Sequence, residues 1–211
     1  MKDLSDKIKQ KYSKIDVLLN NAGGANKTKQ ITIEGLEKTF ATNQMNYFVL
    51  STELLEIISE SNDGRIVNVA SNAHIGAEVD YENINSEKNF SAWTSYCVSK
   101  LMNIMFTYQL SSIQDKVSAN VLHPGFVDTN IAGNEGNFIK YIVKLGAKMF
   151  ARTVDSGADS SIYLSTSDEV QNVSGKYFFK CKEIKSSRAS YNKEDWQKVW
   201  DLCNEYKIKL I

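Results

Sequence analysis

The sequence is poor in the residues that build disulfide frameworks and metal centres. It has three cysteines, Cys97, Cys181 and Cys203, far apart and with no C-x-x-C pair. An odd count without an export signal excludes a disulfide framework and points to a reducing compartment. Its two histidines, His74 and His123, are too few for a histidine-rich metal site, so no metal is expected. Charge of one sign is also lacking: 25 Lys+Arg balance 25 Asp+Glu, which leaves no basic footprint for nucleic acid and no acidic tail. No apolar run approaches the roughly 18 residues of a membrane span. The N-terminal MKDLSDKIKQKY is charged and periodic, unlike a signal peptide. Glycine is absent from Met1 to Asp16, and Pro124 is the only proline.

What remains is ordinary globular material. With 42% hydrophobic and 24% charged residues, the 211 positions fit one domain, 1–211, with its own core. Leu4, Ile8 and Tyr12, four apart, predict a helix over 2–12. IDVLLNNAGG is an apolar run closed by Asn and Gly, the pattern of a strand buried on both faces. Residues 32–58 read as helix, interrupted around Asn43 to Asn46. RIVNVAS (65–71) is a second strand, 72–93 is polar and irregular, and 94–112 is a long helix. KVSANVLHPG (116–125) is a third strand that ends at the proline. A loop and an apolar helix over 126–150, a helix over 153–166, a short strand at 174–179 and a helical tail over 193–206 complete the chain. Strands alternating with helices predict an α/β fold with a parallel sheet. Ligands of such sheets bind beyond the carboxyl ends of the strands. NNAGG, VASN and HPG fall there.

TSYCVSK (94–100) places Tyr96 and Lys100 four apart, on one face of a helix. A phenol's pKa near 10 is too high for work near neutrality, and an ammonium held beside it favours the phenolate. Such a pair can exchange a proton with a substrate oxygen. Ser71 is placed to polarise the same oxygen, and Asn43 to carry a relay to water through the lysine. None of these groups performs a redox step, so a cofactor would bring the reactive atom. Taken singly, each has a bland reading: a solvated pair, turn asparagines at Asn20 and Asn21, a strand-end cap at Ser71, a surface Asn43, a plain turn at Pro124-Gly125. Their joint occurrence at strand ends, in this order, does not.

The combination resembles the short-chain dehydrogenases/reductases over nearly the whole chain. DVLLNNAGG matches their N-N-A-G strand end, GRIVNVAS and Y-x-x-x-K their Ser and Tyr/Lys segments, and HPGFVDT their P-G-x-V-x-T segment. VNVASNAHIG, NSEKNFSAWTSYCVSKLMNIMF and SGKYF-x-x-CK resemble the retinol-dehydrogenase-like branch. The resemblance implies a Rossmann-type doubly wound parallel sheet. Its implied catalytic set is Asn43, Ser71, Tyr96 and Lys100: Tyr96 the acid/base, Lys100 lowering its pKa and binding the nicotinamide ribose, Ser71 holding the substrate oxygen and Asn43 ordering a relay water. For NADP or NAD it implies Asn21, Ala22 and Gly23 on the adenosine side, Val127 and Thr129 at the nicotinamide carboxamide, and Tyr96, Lys100, Pro124 and Gly125 as further cofactor-binding residues.

The implied reaction interconverts a small hydrophobic alcohol and its carbonyl compound, and the apolar segment from Phe138 to Phe150 reads either as the family's substrate-covering loop and helix or as a plain surface-packing helix. The family also begins with a strand and a T-G-x-x-x-G-x-G loop that holds the pyrophosphate at a helix N-terminus. This chain starts beyond that point, so weak or absent dinucleotide binding is expected of the 211 residues alone, and the strand at VLLNNAG is expected at a sheet edge. A non-catalytic scaffold that uses this edge is the alternative. The helix after Tyr96 is apolar on more than one side, which implies either a homodimer through it or burial beneath another part of the chain. The expected location is cytoplasmic.

Overall fold

The computed structural model describes residues 1–125 and 154–210. The expectations for Val127, Thr129 and the segment from Phe138 to Phe150 lie outside the described residues. Four parallel strands run through the centre: β1 (Val17–Asn20), β2 (Gly64–Val69), β3 (Val117–Leu122) and β4 (Tyr177–Phe179). A fifth, β5 (Lys182–Ile184), closes the sheet antiparallel to β4, in the spatial order β1-β2-β3-β4-β5. All six residues of β2 are buried, Arg65 and Asn68 among them, as in a strand covered on both faces. β1 stands at the edge of the described sheet, with Leu19 42% exposed.

Helices cover both faces. On one side lie α3 (Asn46–Ser59), α4 (Ala92–Ile113) and α6 (Lys193–Leu210), packed around Phe48, Leu101, Phe106, Leu110 and the sheet residues Ile66 and Ala119. Phe48, Phe106 and Trp200 join all three helices, with ring centroids 5.1–6.0 Å apart. On the other side α5 (Val154–Thr166) brings Leu164 onto Val67, Val69, Leu122 and Phe178. Ile66 and Val67 thus serve opposite cores, the period-two consequence of the pleat. The fold is α/β, with the parallel-dominated sheet that the strand–helix alternation predicts.

Four details depart from the sequence reading. Helix α1 (Lys2–Lys11) buries Ser5, packs Ile8 inward and reaches Glu53 on α3 with Lys9, but leaves Leu4 and, just beyond its end, Tyr12 exposed. The helix expected from Thr32 starts at Lys38. Before it, Gly35 turns the chain at φ +81, and Glu37 is extended. The buried Glu37 carboxylate caps the helix, accepting from the Thr39 and Phe40 amides at 2.9 Å. The interruption expected near Asn43 is a π turn over Ala41–Met45 between α2 (Lys38–Phe40) and α3, and the helix continues through it. β5 has no counterpart in the sequence reading.

Candidate active site

The site forms where the carboxyl ends of β1 and β2 meet the N-terminal half of α4. Ser91 starts α4, its hydroxyl accepting from the Thr94 amide at 3.3 Å. Tyr96, Lys100, Asn103 and Thr107 then follow at spacings of four, three and four, which is one stripe of a helix. The structure brings Asn43, Ser71, Tyr96 and Lys100 together. The Lys100 amine is buried, donates to the Val69 carbonyl at 2.8 Å and to Asn103 Oδ1 at 3.3 Å, and lies 5.9 Å from the Tyr96 ring centre. It also lies 5.4 Å from the ring of Tyr47, whose phenol shares the Val69 carbonyl. Ser71, extended at the end of β2, starts a short 3-10 turn over Asn72–His74 and contacts the Tyr96 phenol.

Asn43 sits in the π turn and is fully buried. Its side chain grips the strand end after β1 from both directions. Oδ1 accepts from the Gly24 amide, and Nδ2 donates to the Gly24 carbonyl, each at 2.9 Å. Nδ2 also reaches Ser99 Oγ at 2.9 Å, and Ser99 in turn donates to the Tyr96 carbonyl at 2.7 Å. Gly23 is where this backbone presses closest. A Cβ there would meet Asn43 Oδ1 at 2.9 Å and Lys100 Nζ at 3.2 Å, so only glycine fits without a shift. Asn21, Ala22 and Gly23 are exposed beside these groups. At the end of β3, Gly125 turns at φ +83 and donates its amide to His123 Nδ1 at 3.2 Å, with Pro124 and Gly125 partly buried.

Burial sets the electrostatics. It pushes the Lys100 amine down to about 7 from an ordinary 10.5. It raises the Tyr96 phenol, and the hydrogen bond to Ser71 offsets this only in part. In this arrangement desolvation sets the direction for the phenol, and the Lys100 amine is engaged with Val69 and Asn103.

The sequence reading missed the buried polar side chains that hold the set. Asn20, taken as a turn residue, is the last residue of β1 and donates to Ser51 Oγ at 3.0 Å and to Asn68 Oδ1 at 2.8 Å. Asn68 donates to Thr107 at 2.9 Å, and Thr107 to the Asn103 carbonyl at 2.6 Å. His74 bridges Ser71 to the chain after β5: Nδ1 lies 2.6 Å from the Ser71 carbonyl, and Nε2 accepts from the Ser187 amide at 3.0 Å. The signal for Asn103 and Thr107 was present, since they are polar positions in line with Tyr96 and Lys100 on a helix otherwise apolar all round.

A parallel sheet with a tyrosine–lysine pair on the helix beside its strand ends defines a dehydrogenase-type α/β domain. The chain belongs to the short chain dehydrogenase family, whose model matches residues 1–139. It is 35% identical to human (Homo sapiens) retinol dehydrogenase 14 over 206 residues, which are 96% of this chain and 61% of that protein. It is 33% identical to human polyprenol dehydrogenase over 202 residues, 92% of this chain and 61% of that one. These relatives place it in the retinol-dehydrogenase-like branch. The chain spans about three fifths of the length of the curated relatives it matches. Among solved structures, an uncharacterised protein from Mycobacterium Paratuberculosis superposes with a TM-score of 0.75 at 24% identity, covering 97% of this chain and 71% of that one. At that identity the match speaks for the fold.

Proposed function

We propose that the protein is an NAD(P)-dependent oxidoreductase that interconverts a hydrophobic alcohol and its carbonyl compound, with Tyr96 as the acid/base. The observation that carries this reading is the convergence of Ser71, Tyr96, Lys100 and Asn43 at the β1 and β2 strand ends. The donor set suits a nicotinamide dinucleotide. An ammonium has three donors, and Lys100 spends two on Val69 and Asn103, which leaves one for a ribose hydroxyl. The exposed backbone of Asn21, Ala22 and Gly23 lies beside it. By family resemblance Val127 and Thr129 are assigned to the nicotinamide carboxamide, and Pro124 and Gly125 to the cofactor. When bound, the cofactor supplies or accepts the hydride.

The chain's own residues handle the oxygen and its proton. In the alcohol-oxidising direction Ser71 Oγ holds the substrate hydroxyl beside the Tyr96 oxygen. As phenolate, Tyr96 takes the hydroxyl proton; in the reverse direction it returns one to the carbonyl oxygen. A ligand that adds hydrogen bonds at Lys100 keeps the ammonium charged, and the charged form draws the raised phenol towards ionisation. Asn43, clamped by Gly24 and Ser99, fixes the wall of this space.

The hydrophobic substrate class is supported by the names of the relatives, a retinol and a polyprenol dehydrogenase. A second reading, a non-catalytic protein that pairs through its open strand, draws on the exposure of Leu19 on β1. Purified protein incubated with a panel of long-chain, prenyl and sugar alcohols, and with NAD or NADP at a concentration high enough to offset the weak dinucleotide binding expected of the 211 residues alone, separates the two. Nicotinamide reduction with the apolar alcohols is the expected result. Turnover of the sugars alone overturns the substrate class, and no turnover with any member of the panel overturns the oxidoreductase reading.

A further inference from the structure

We propose that Asn103 is a positioning residue of the site: its side-chain amide couples the Lys100 amine to the Asn43 backbone and so fixes the lysine beside Tyr96. Asn103 is fully buried, and its amide is used on both sides. Oδ1 accepts from Lys100 at 3.3 Å, while Nδ2 donates to the Asn43 carbonyl at 2.8 Å and to Gln44 Oε1 at 2.9 Å. The two Nδ2 contacts reach the π turn, the segment that also carries the Asn43 side chain. A single planar group therefore ties the helix bearing Tyr96 and Lys100 to the turn bearing Asn43.

The chemistry calls for an amide. A carboxylate at this place would turn an oxygen on the Asn43 carbonyl and on Gln44 Oε1, and would put a full negative charge beside the lysine. An aliphatic side chain would take one of the two acceptors from Lys100 and leave buried oxygens without a donor. The backbone of Asn103 is held as well: its carbonyl accepts from Thr107, which extends through Asn68 and Asn20 to Ser51 on α3. Asn103 is the point where this cross-sheet chain of hydrogen bonds reaches the lysine. The titratable groups facing the Lys100 amine among the described residues are the phenols of Tyr47 on α3 and Tyr96 on α4.

The coupling itself is a structural claim. Its catalytic meaning rests on the reading of the site given above, so the test reads the lysine directly. Protein labelled at lysine Cε is titrated by NMR as wild type, Asn103→Asp, Asn103→Ala and Thr107→Val, with far-UV spectra and melting temperatures recorded beside each. Asn103→Asp is expected to raise the Lys100 midpoint by about one pH unit or more. Asn103→Ala is expected to lower it, and Thr107→Val to cost stability while leaving it in place. A midpoint unmoved in whichever folded Asn103 variant is obtained overturns the proposal, as does a midpoint that Thr107→Val moves as far. In the NAD(P)-linked assay the pH limb governed by the lysine moves up in Asn103→Asp and down in Asn103→Ala, as the NMR midpoint does. A moved NMR midpoint without turnover upholds the positioning role and counts against the oxidoreductase reading alone.

Discussion

The two faces of α4 are held by different forces. One face packs Met102, Phe106 and their neighbours against α3 and α6, with Phe106 wedged between Phe48 and Trp200. The other carries Tyr96, Lys100, Asn103 and Thr107, and hydrogen bonds join it to β2 at Val69 and Asn68 and to the π turn at Asn43 and Gln44. Both faces are buried, which is why the helix carries apolar residues on more than one side and hydrogen-bonded polar residues between them. The first is stabilised by the area it removes from water. The second pays for its desolvation by pairing its polar atoms, which contributes little net stability but fixes positions closely. Residues that place reacting groups therefore lie on the polar stripe, and residues that keep the helix in place lie opposite. The covering by α6 also supplies, within the chain, burial for which a dimer had been one explanation.

Substitutions on the two faces can break this contrast. The largest loss of stability is expected from Phe106→Ala, at about 3–5 kcal/mol by denaturant unfolding. Any turnover per folded molecule should survive it. On the polar stripe, Asn68→Ala removes the link between Asn20 and Thr107 and is expected to cost about 1–3 kcal/mol. If it cost as much as Phe106→Ala, the two faces would not differ as described.

Smaller still is a pH effect. The folded-state pKa of Lys100 is pushed to about 7, below its ordinary 10.5, so between these values the unfolded chain holds a proton that the folded chain has released. Stability should therefore rise from pH 7 towards about 8.5, and Lys100→Met should remove that part of the rise. The buried thiols of Cys97 and Cys203, raised to about 12 from 9.0, act in the opposite sense as pH passes 9, so the contrast is read below that point. An identical slope in wild type and Lys100→Met would show that the amine is not desolvated.

The parallel sheet was legible because apolar runs such as IDVLL and RIV are followed by turn residues and alternate with helical segments. Tyr96 and Lys100 were legible through their spacing and the strand ends around them. Asn20 was not, since an Asn-Asn pair after a strand reads as a turn, whereas here the first of the two remains in β1 and faces the sheet's buried polar chain. Asn103 and Thr107 were passed over because polar residues on a helix are usually solvated; only their alignment with Tyr96 and Lys100 marks them. β5 was hidden because its hairpin turns on Lys180 and Cys181, at φ 51 and 60, instead of the Asn-Gly or Asp-Gly that announces such a turn. The late start of the second helix could have been read from Gly35 and Glu37, a turn residue followed by a capping acid.

The measurement that bears most directly on the account is the NAD(P)-linked turnover of a hydrophobic alcohol by Tyr96→Phe, with unfolding free energy measured on the same samples. The substitution removes one hydroxyl from the polar stripe and leaves the ring in place. The account predicts a fall of about a hundredfold or more in turnover with a stability change under about 1 kcal/mol. Turnover retained at the wild-type level in a stably folded Tyr96→Phe protein would contradict it.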